Sequence, residues 1–301
     1  MTGSVTHVWL AAYRSALKVA PAIGATPIDV GSVRVVFADG ELTYQALDAV
    51  GTPGLDVMEI RPEMRTTPRA FYTLFLSQFD PTAGVNDEPR VRALIGATVG
   101  LVAAINGGAL VFERAFDNVV ELATGQLTVF SDVLRTPVAY GKPRFSATHL
   151  AVVDDAAKAL DRSDAPVQAR VRLALHWIHQ ALHDDMQDEF IKLWVAVEAL
   201  AMPDTTNVRP VNDLLASGYA IPSQDAAKRF GVGKLQGLRS RILHKGEQLP
   251  IHADLTNYVR CVFTDVLLET LGLPAQGRAD AYMQAPAFSS PFDLDALTHL
   301  K

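Results

Sequence analysis

Cysteine is almost absent from this sequence of 301 residues, since Cys261 is the only one. A chain with one cysteine forms no internal disulfide and suits a reducing compartment. The sequence also lacks an apolar run of roughly 18 residues, the length of a membrane span. Its first twenty residues have neither the basic leader nor the uninterrupted apolar core of a signal peptide. We therefore expect a cytoplasmic protein with no membrane partner.

Positive charge is scarce as well, because the formal net charge is −6 and the pI is near 5.7. That balance argues against a protein that coats DNA or membranes, so any nucleic-acid contact should be a local patch. Glycine-rich phosphate loops are missing too. The segments 51–54 and 106–108 lack the lysine or the glycine spacing of nucleotide cradles and are interpreted as turns. No cofactor is expected.

The length favours two domains. Residues 1–150 are predicted to form a mixed α/β domain of unknown role. Apolar residues from Trp9 to Leu17 predict a short amphipathic helix over 6–20. Residues 68–79 fit a helix or a strand, and the spacing of their phenylalanines favours the helix. A helix is predicted from Asp87, with acidic residues in its first turn, to a stop at Gly107. β-branched and alternating segments predict strands over 33–37, 55–60, 110–116 and 127–130.

Composition changes after residue 143, and residues 151–273 predict an all-α bundle. Apolar stripes with helical spacing predict helices over 166–182, 189–202, 212–215, 224–244 and 253–271. Residues 274–301 are predicted to form an extended tail, anchored on the body by Phe288, Phe292 and Leu294. The expected fold class is α+β: a mixed α/β N-terminal domain followed by a helical bundle.

One stretch of the helical half stands out by its charge. Residues 226–245 contain six Lys or Arg and no Asp or Glu, and they include Arg239 and His244. A permanently charged guanidinium beside an imidazole suits chemistry on a phosphodiester. Positions five apart on a straight helix differ by about 140° around its axis, so the two side chains do not share one stripe. A left-handed cap at Gly246 can let the imidazole turn back, or two chains can pool their residues across a twofold axis. The plainer alternative is a set of cations at a helix C-terminus, where they are favourable.

Three segments resemble the HEPN superfamily, in particular its ApeA-like subgroup. Residues 238–246, with Arg239 and His244, resemble the R-x4–6-H motif. Residues 174–182 and 190–200 resemble the first and second long helices of the subgroup, the latter carrying its tryptophan–glutamate signature. The resemblance keeps the three segments in order and covers about residues 155–273, and it does not extend to residues 1–150.

This resemblance implies a helical bundle that forms homodimers and a metal-independent endoribonuclease whose two motifs face each other. It assigns Arg239 to orient and neutralise the scissile phosphate and His244 to act as the acid or base. The products would carry 2′,3′-cyclic phosphates, because the 2′-hydroxyl of the RNA is the nucleophile. RNA and a second copy of the chain would be the partners, and a role as an antiviral defence or toxin effector is implied. Ser240 departs from the Asn, Asp or His that follows the arginine in many active members, so a non-catalytic dimerisation or RNA-binding scaffold remains the alternative.

The remaining candidates surround this motif. Glu198 is a lone carboxylate in an apolar run, which either pairs with Arg239 or Arg241 or faces water. Ser240 and Arg241 are grouped with Glu198 as supporting residues, and Lys234 and Lys245 are candidates for contacts with RNA phosphates.

No metal site is expected. His176, His179 and His183 share one helical face, but a solvated or interface face is favoured there over a metal cluster.

Overall fold

A computed structural model describes residues 7–15, 27–38, 71–81, 87–107, 110–111, 113–121, 127–132, 147–284 and 292–299. The chain divides into two compact units, Met1–Lys158 and Ala159–Lys301. An antiparallel sheet occupies the first unit and helices follow it, so the predicted α+β class with a helical C-terminal part is confirmed. The strand predicted over 55–60 and the anchor Phe288 lie outside the described residues.

The described strands of the first unit form one six-stranded sheet in the order β2-β3-β4-β1-β5-β6. Every pair of neighbours is antiparallel, and β1 is central because it pairs with both β4 and β5. The strands are β1 (His7–Ser15), β2 (Ile28–Val30), β3 (Val33–Ala38), β4 (Phe71–Phe79), β5 (Glu113–Glu121) and β6 (Leu127–Asp132).

The helix predicted over 6–20 is wrong, because β1 occupies its first half. Consecutive residues from Val8 to Tyr13 are at most 2% exposed, so this strand is buried on both faces. A strand covered on both sides needs no polar residue at alternate positions and loses its period-two pattern. The same reason applies to β4, where residues 72–77 are all buried and the weakly favoured helix is also wrong.

Helix α1 (Asp87–Asn106) packs on β3 and β4 and ends before Gly107, whose φ is +68°, as predicted. Asp87 begins it and accepts a hydrogen bond from the Asp80 backbone N–H at 2.8 Å. Five residues later, Arg92 reaches from the helix to the sheet and bonds Asp117 of β5 at 2.7 Å. These contacts connect the start of α1 to the strands.

Nine α-helices follow in the described part of the chain. They are α2 (Ala147–Arg162), α3 (Ala165–Gln180), α4 (Met186–Ala201), α5 (Arg209–Gly218), α6 (Ser223–Phe230), α7 (Val232–Lys245), α8 (Ala253–Thr270), α9 (Arg278–Gln284) and α10 (Leu294–Thr298). Helix α4 packs against α3, α7 and α8, and side chains of Asp164 and Asp185 cap the N-termini of α3 and α4. No helix in these ranges is both long and apolar enough to cross a membrane.

Two predictions for the helical unit need correction. The helix predicted over 224–244 is divided into α6 and α7 at Gly231, which has a φ of +58°. The segment predicted as an extended tail contains α9 and α10. Phe292 is nevertheless an anchor as predicted, because its ring lies 4.8 Å from that of Tyr258 and 5.6 Å from that of Tyr282.

Candidate active site

Helices α4 and α7 pack side by side and bring the predicted site residues together. Trp194 and Val197 of α4 and Leu238 of α7 are buried between helices of this unit. Glu198 directly follows Val197, and Arg239 directly follows Leu238, so each lies at the margin of its buried stripe. Polar groups at two facing margins can meet while remaining partly open to solvent.

Glu198, Arg239 and His244 form one hydrogen-bonded cluster. Arg239 donates from Nη2 to Oε2 of Glu198 at 3.1 Å, and its Nη1 lies 3.1 Å from Nε2 of His244. The side chains of Arg239 and Glu198 are 20% and 24% exposed, and His244 is exposed. Of the alternatives that the sequence leaves open for Glu198, pairing with an arginine is the one found, and the arginine is Arg239. We call these three residues the Arg–His cluster.

The end of α7 explains how residues five apart come into contact in one chain. Gly246 follows the helix with a φ of +67°, and its N–H bonds the carbonyl groups of Arg241 and Ile242. This is the left-handed cap that the sequence offers as one of two ways to bring Arg239 and His244 together. The His244 ring lies in the last turn, within reach of the long Arg239 side chain.

The contact also assigns a tautomer to His244. A guanidinium has only N–H donors, so Nε2 of His244 must be the acceptor in its bond with Arg239. A neutral imidazole that accepts at Nε2 carries its proton on Nδ1. The ring nitrogen facing Arg239 is therefore the one able to receive a proton.

The other predicted supporting residues lie beside the cluster. Arg241 donates to Glu247 at 2.7 Å and does not reach Glu198. Ser240 is half-buried, and its hydroxyl makes no hydrogen bond to any residue that the structure describes. Neither residue is part of the Arg–His cluster.

Carboxylates from other elements neutralise much of the basic stretch. Four of its six cations form ion pairs: Arg229 with Asp280, Lys234 with Asp295, Arg239 with Glu198, and Arg241 with Glu247. The two candidates for RNA contacts differ in this respect. Lys234 is bound to α10, whereas exposed Lys245 has no ion pair within the described ranges. Exposed ion pairs contribute only about 0 to 1 kcal/mol to stability, so a phosphate can compete with Asp295 for Lys234.

The histidine face of α3 shows no metal-binding arrangement in the described residues, where no group of three His, Cys, Asp or Glu is placed to hold an ion. The ring of His176 lies 5.8 Å from that of Trp177, edge to face. This face is separate from the Arg–His cluster, which contains one histidine.

The indole of Trp194 is a polar partner of the cluster that was missed from the sequence, because the apolar stripe of α4 predicts only packing for it. Its N–H donates to Oε1 of Glu198 at 2.9 Å. The available signal was the spacing, since residues four apart on a helix are neighbours. With Trp194 on one oxygen and Arg239 on the other, both oxygens of Glu198 are bound.

Comparison with models of protein families, with curated proteins and with solved structures found no match to this chain. The HEPN resemblance of residues 155–273 therefore stays a prediction. The observation that bears on function is the geometry of the Arg–His cluster, which places a permanent positive charge 3.1 Å from a ring nitrogen of His244 at a partly exposed helix end.

Proposed function

We propose that the chain is a metal-independent endoribonuclease of HEPN type that acts as a homodimer. The observation that supports this proposal most directly is the 3.1 Å contact between Nη1 of Arg239 and Nε2 of His244. It joins an anion-binding group and a proton acceptor, the two functions that cleavage by the 2′-hydroxyl of RNA requires.

In the proposed reaction, a scissile phosphate replaces His244 as the acceptor for Arg239. This exchange frees Nε2 of His244, which takes the proton of the adjacent 2′-hydroxyl. The 2′-oxygen forms a bond to phosphorus as the bond from phosphorus to the 5′-oxygen breaks. The leaving oxygen receives a proton, from the His244 of a second copy if the two motifs face each other. The products are a 2′,3′-cyclic phosphate and a 5′-hydroxyl.

The remaining residues have supporting roles in this proposal. Glu198 holds the Arg239 guanidinium toward the end of α7, and Lys234 at the start and Lys245 at the end of this helix contact RNA phosphates. Cleavage of this kind uses the RNA's own nucleophile, so it needs no metal-bound water. A role as a defence or toxin effector in the cytoplasm follows from the resemblance. By analogy alone, the sheet unit would sense a trigger or restrain the activity.

The test is cleavage of a mixed pool of labelled RNA by the full chain in the presence of a chelator. We expect Arg239→Ala and His244→Ala each to lower the rate at least about 100-fold. RNA fragments produced by the wild type should end in a 2′,3′-cyclic phosphate. Phosphatase should therefore release phosphate from these ends only after acid has opened the cyclic phosphate.

Two exposed residues of the helical unit give matched controls. Arg209→Ala removes an arginine that is 80% exposed, and His176→Ala removes an exposed histidine. Both should cleave as the wild type does. Equal cleavage by wild type, Arg239→Ala and His244→Ala would refute the proposal, and dependence on an added metal would refute its metal-independent form.

A non-catalytic RNA-binding or dimerisation scaffold is the second candidate. It is favoured by the engagement of Arg239, which already bonds Glu198 and His244, and by Ser240 in the motif. RNA retention on a filter without any cleavage, together with a dimer in sedimentation, would support the scaffold instead of the enzyme.

A further inference from the structure

A fourth residue, Trp194, is hydrogen-bonded to the Arg–His cluster from its buried side. Trp194 is fully buried, and its Nε1 donates to Oε1 of Glu198 at 2.9 Å. Oε2 of Glu198 accepts from Arg239 at 3.1 Å, and Arg239 contacts His244 at 3.1 Å. A continuous series of hydrogen bonds thus runs from the core of the helical unit to an exposed imidazole.

The members of this series differ in mobility. Glutamate and arginine have long side chains with several rotatable bonds, and ordering them costs conformational entropy. Trp194 is held by the packing around its ring and has one N–H to donate. It is therefore the fixed end of the series, and its bond to Oε1 determines which way Oε2 of Glu198 faces.

The two bonds to Glu198 depend on each other. If Trp194 released Oε1, the carboxylate, which is 24% exposed, could turn toward water and leave the guanidinium of Arg239. The Nε of Arg239 is already buried without a hydrogen-bond partner in the described residues. Arg239 therefore has few other contacts to hold it in place.

We propose that Trp194 is a positioning residue of the site, acting through Glu198 to hold Arg239 against His244. Its effect on cleavage rests on the proposed function, whereas its effect on the geometry of His244 does not. A purely packing role for Trp194 is the competing explanation, because the ring fills space in the core as well.

Trp194→Phe separates these explanations, since it keeps an aromatic ring and removes the N–H. We expect this variant to weaken the contact between Arg239 and His244. Long-range proton–nitrogen NMR of the labelled imidazole reports this directly. In the wild type His244 should show the tautomer with its proton on Nδ1, and in Trp194→Phe its Nε2 signal should move toward that of a protonated nitrogen.

Two further variants complete the NMR test. Glu198→Gln breaks the series at the next step and should shift the same signal. Trp177→Phe is the matched control, because it makes the same exchange on α3 and should leave His244 unchanged. An unchanged His244 signal in folded Trp194→Phe would overturn the positioning role.

Cleavage supplies an independent measurement. Loss of one hydrogen bond to a charged group predicts a rate about tenfold lower for Trp194→Phe. In a Glu198→Gln background the same substitution should have no further effect, because the series is already broken. An equal loss in both backgrounds would identify packing as the cause and overturn the proposal.

The outcomes remain separable from those of the proposed function. If the wild type cleaves no RNA, the ribonuclease proposal fails, and the His244 signal by itself supports or overturns the positioning role. If Trp194→Phe is too unstable to examine, Glu198→Gln provides the decision, because an unchanged His244 signal there overturns the role as well.

Discussion

Both units of the protein contain a tryptophan whose indole N–H donates to a carboxylate that an arginine also binds. In the sheet unit these are Trp9, Asp117 and Arg92. In the helical unit they are Trp194, Glu198 and Arg239. The same three chemical groups thus occur in two different surroundings.

The surroundings differ in exposure and in the next partner. Asp117 is 6% exposed, and the guanidinium of Arg92 lies 4.6 Å from the centre of the Trp9 ring and bonds Glu88. Arg239 instead contacts an exposed histidine, His244. Such a triad therefore stabilises a core where helix and sheet cover it, and it becomes a candidate site where one end reaches solvent beside a proton acceptor.

The largest difference between the two triads should appear when each carboxylate is removed. Asp117→Ala removes the acceptor of the buried Trp9 indole N–H and one of the two carboxylates that bind Arg92, so we expect it to lower the free energy of unfolding by about 3 kcal/mol. Glu198→Ala should lower it by about 1 kcal/mol, because its partly exposed ion pair is screened by solvent. Urea unfolding followed by circular dichroism measures both.

Asp117→Asn and Glu198→Gln serve as shape-preserving controls for these two alanine variants. A loss at Glu198 equal to or greater than that at Asp117 would contradict the distinction between a core triad and a solvent-facing one.

Two glycines extend the comparison to the ends of α1 and α7. Gly107 and Gly246 have φ values of +68° and +67°, and a Cβ at either would meet no atom within 4 Å. Alanine at each should therefore cost about 1 kcal/mol, the cost of the left-handed backbone. We expect only Gly246→Ala to lower RNA cleavage, because this residue caps the turn that carries His244.

Gly233→Ala is the control for these glycine substitutions. It lies within α7 with open space around it, and alanine there should stabilise the helix by roughly 0.5 to 1 kcal/mol. Equal effects of Gly107→Ala and Gly246→Ala on cleavage would show that the cap has no particular connection to the site.

The pH dependence of the core triad is the smallest effect we expect. Burial raises the pKa of Asp117 above its usual value, although hydrogen bonds from Trp9 and Arg92 oppose the change. The folded state then binds the proton more tightly than the unfolded state does. The contribution of Asp117 to stability should accordingly fall as pH rises from about 4 through its folded pKa.

Urea unfolding of wild type and Asp117→Asn at several pH values isolates this contribution. The stability of the wild type relative to the variant should decrease with rising pH over the acidic range. A relative stability that increases with pH would mean that the ion pair with Arg92 outweighs burial.

Local signals were sufficient for several helices. Helix α3 was predicted over 166–182 and is found at Ala165–Gln180, and α4 was predicted over 189–202 and is found at Met186–Ala201. Their apolar stripes and terminal residues act within a few turns of the chain, so the sequence near each helix contains the needed information. The helix stop at Gly107 is predicted for the same reason, and the left-handed cap at Gly246 is one of the two arrangements that the sequence offers.

The central strands could not be predicted in this way. The run from Val8 to Tyr13 is apolar at every position, and its residues are buried on both faces of the strand. An apolar run of this kind fits a helix and a strand equally well, and only pairing with β4 and β5 decides between the two.

The α+β class, the helical character of the second half, and the presence of Arg239, His244 and Gly246 at one helix end follow from the amino-acid sequence alone. Which groups meet these residues was decided by the tertiary structure. Glu198 is 41 residues from Arg239, and Asp280 and Asp295 neutralise cations of α6 and α7 from across the unit. Such partners are selected by the packing of whole helices, because ion pairs and hydrogen bonds act over a few ångströms in space and carry no fixed spacing along the chain.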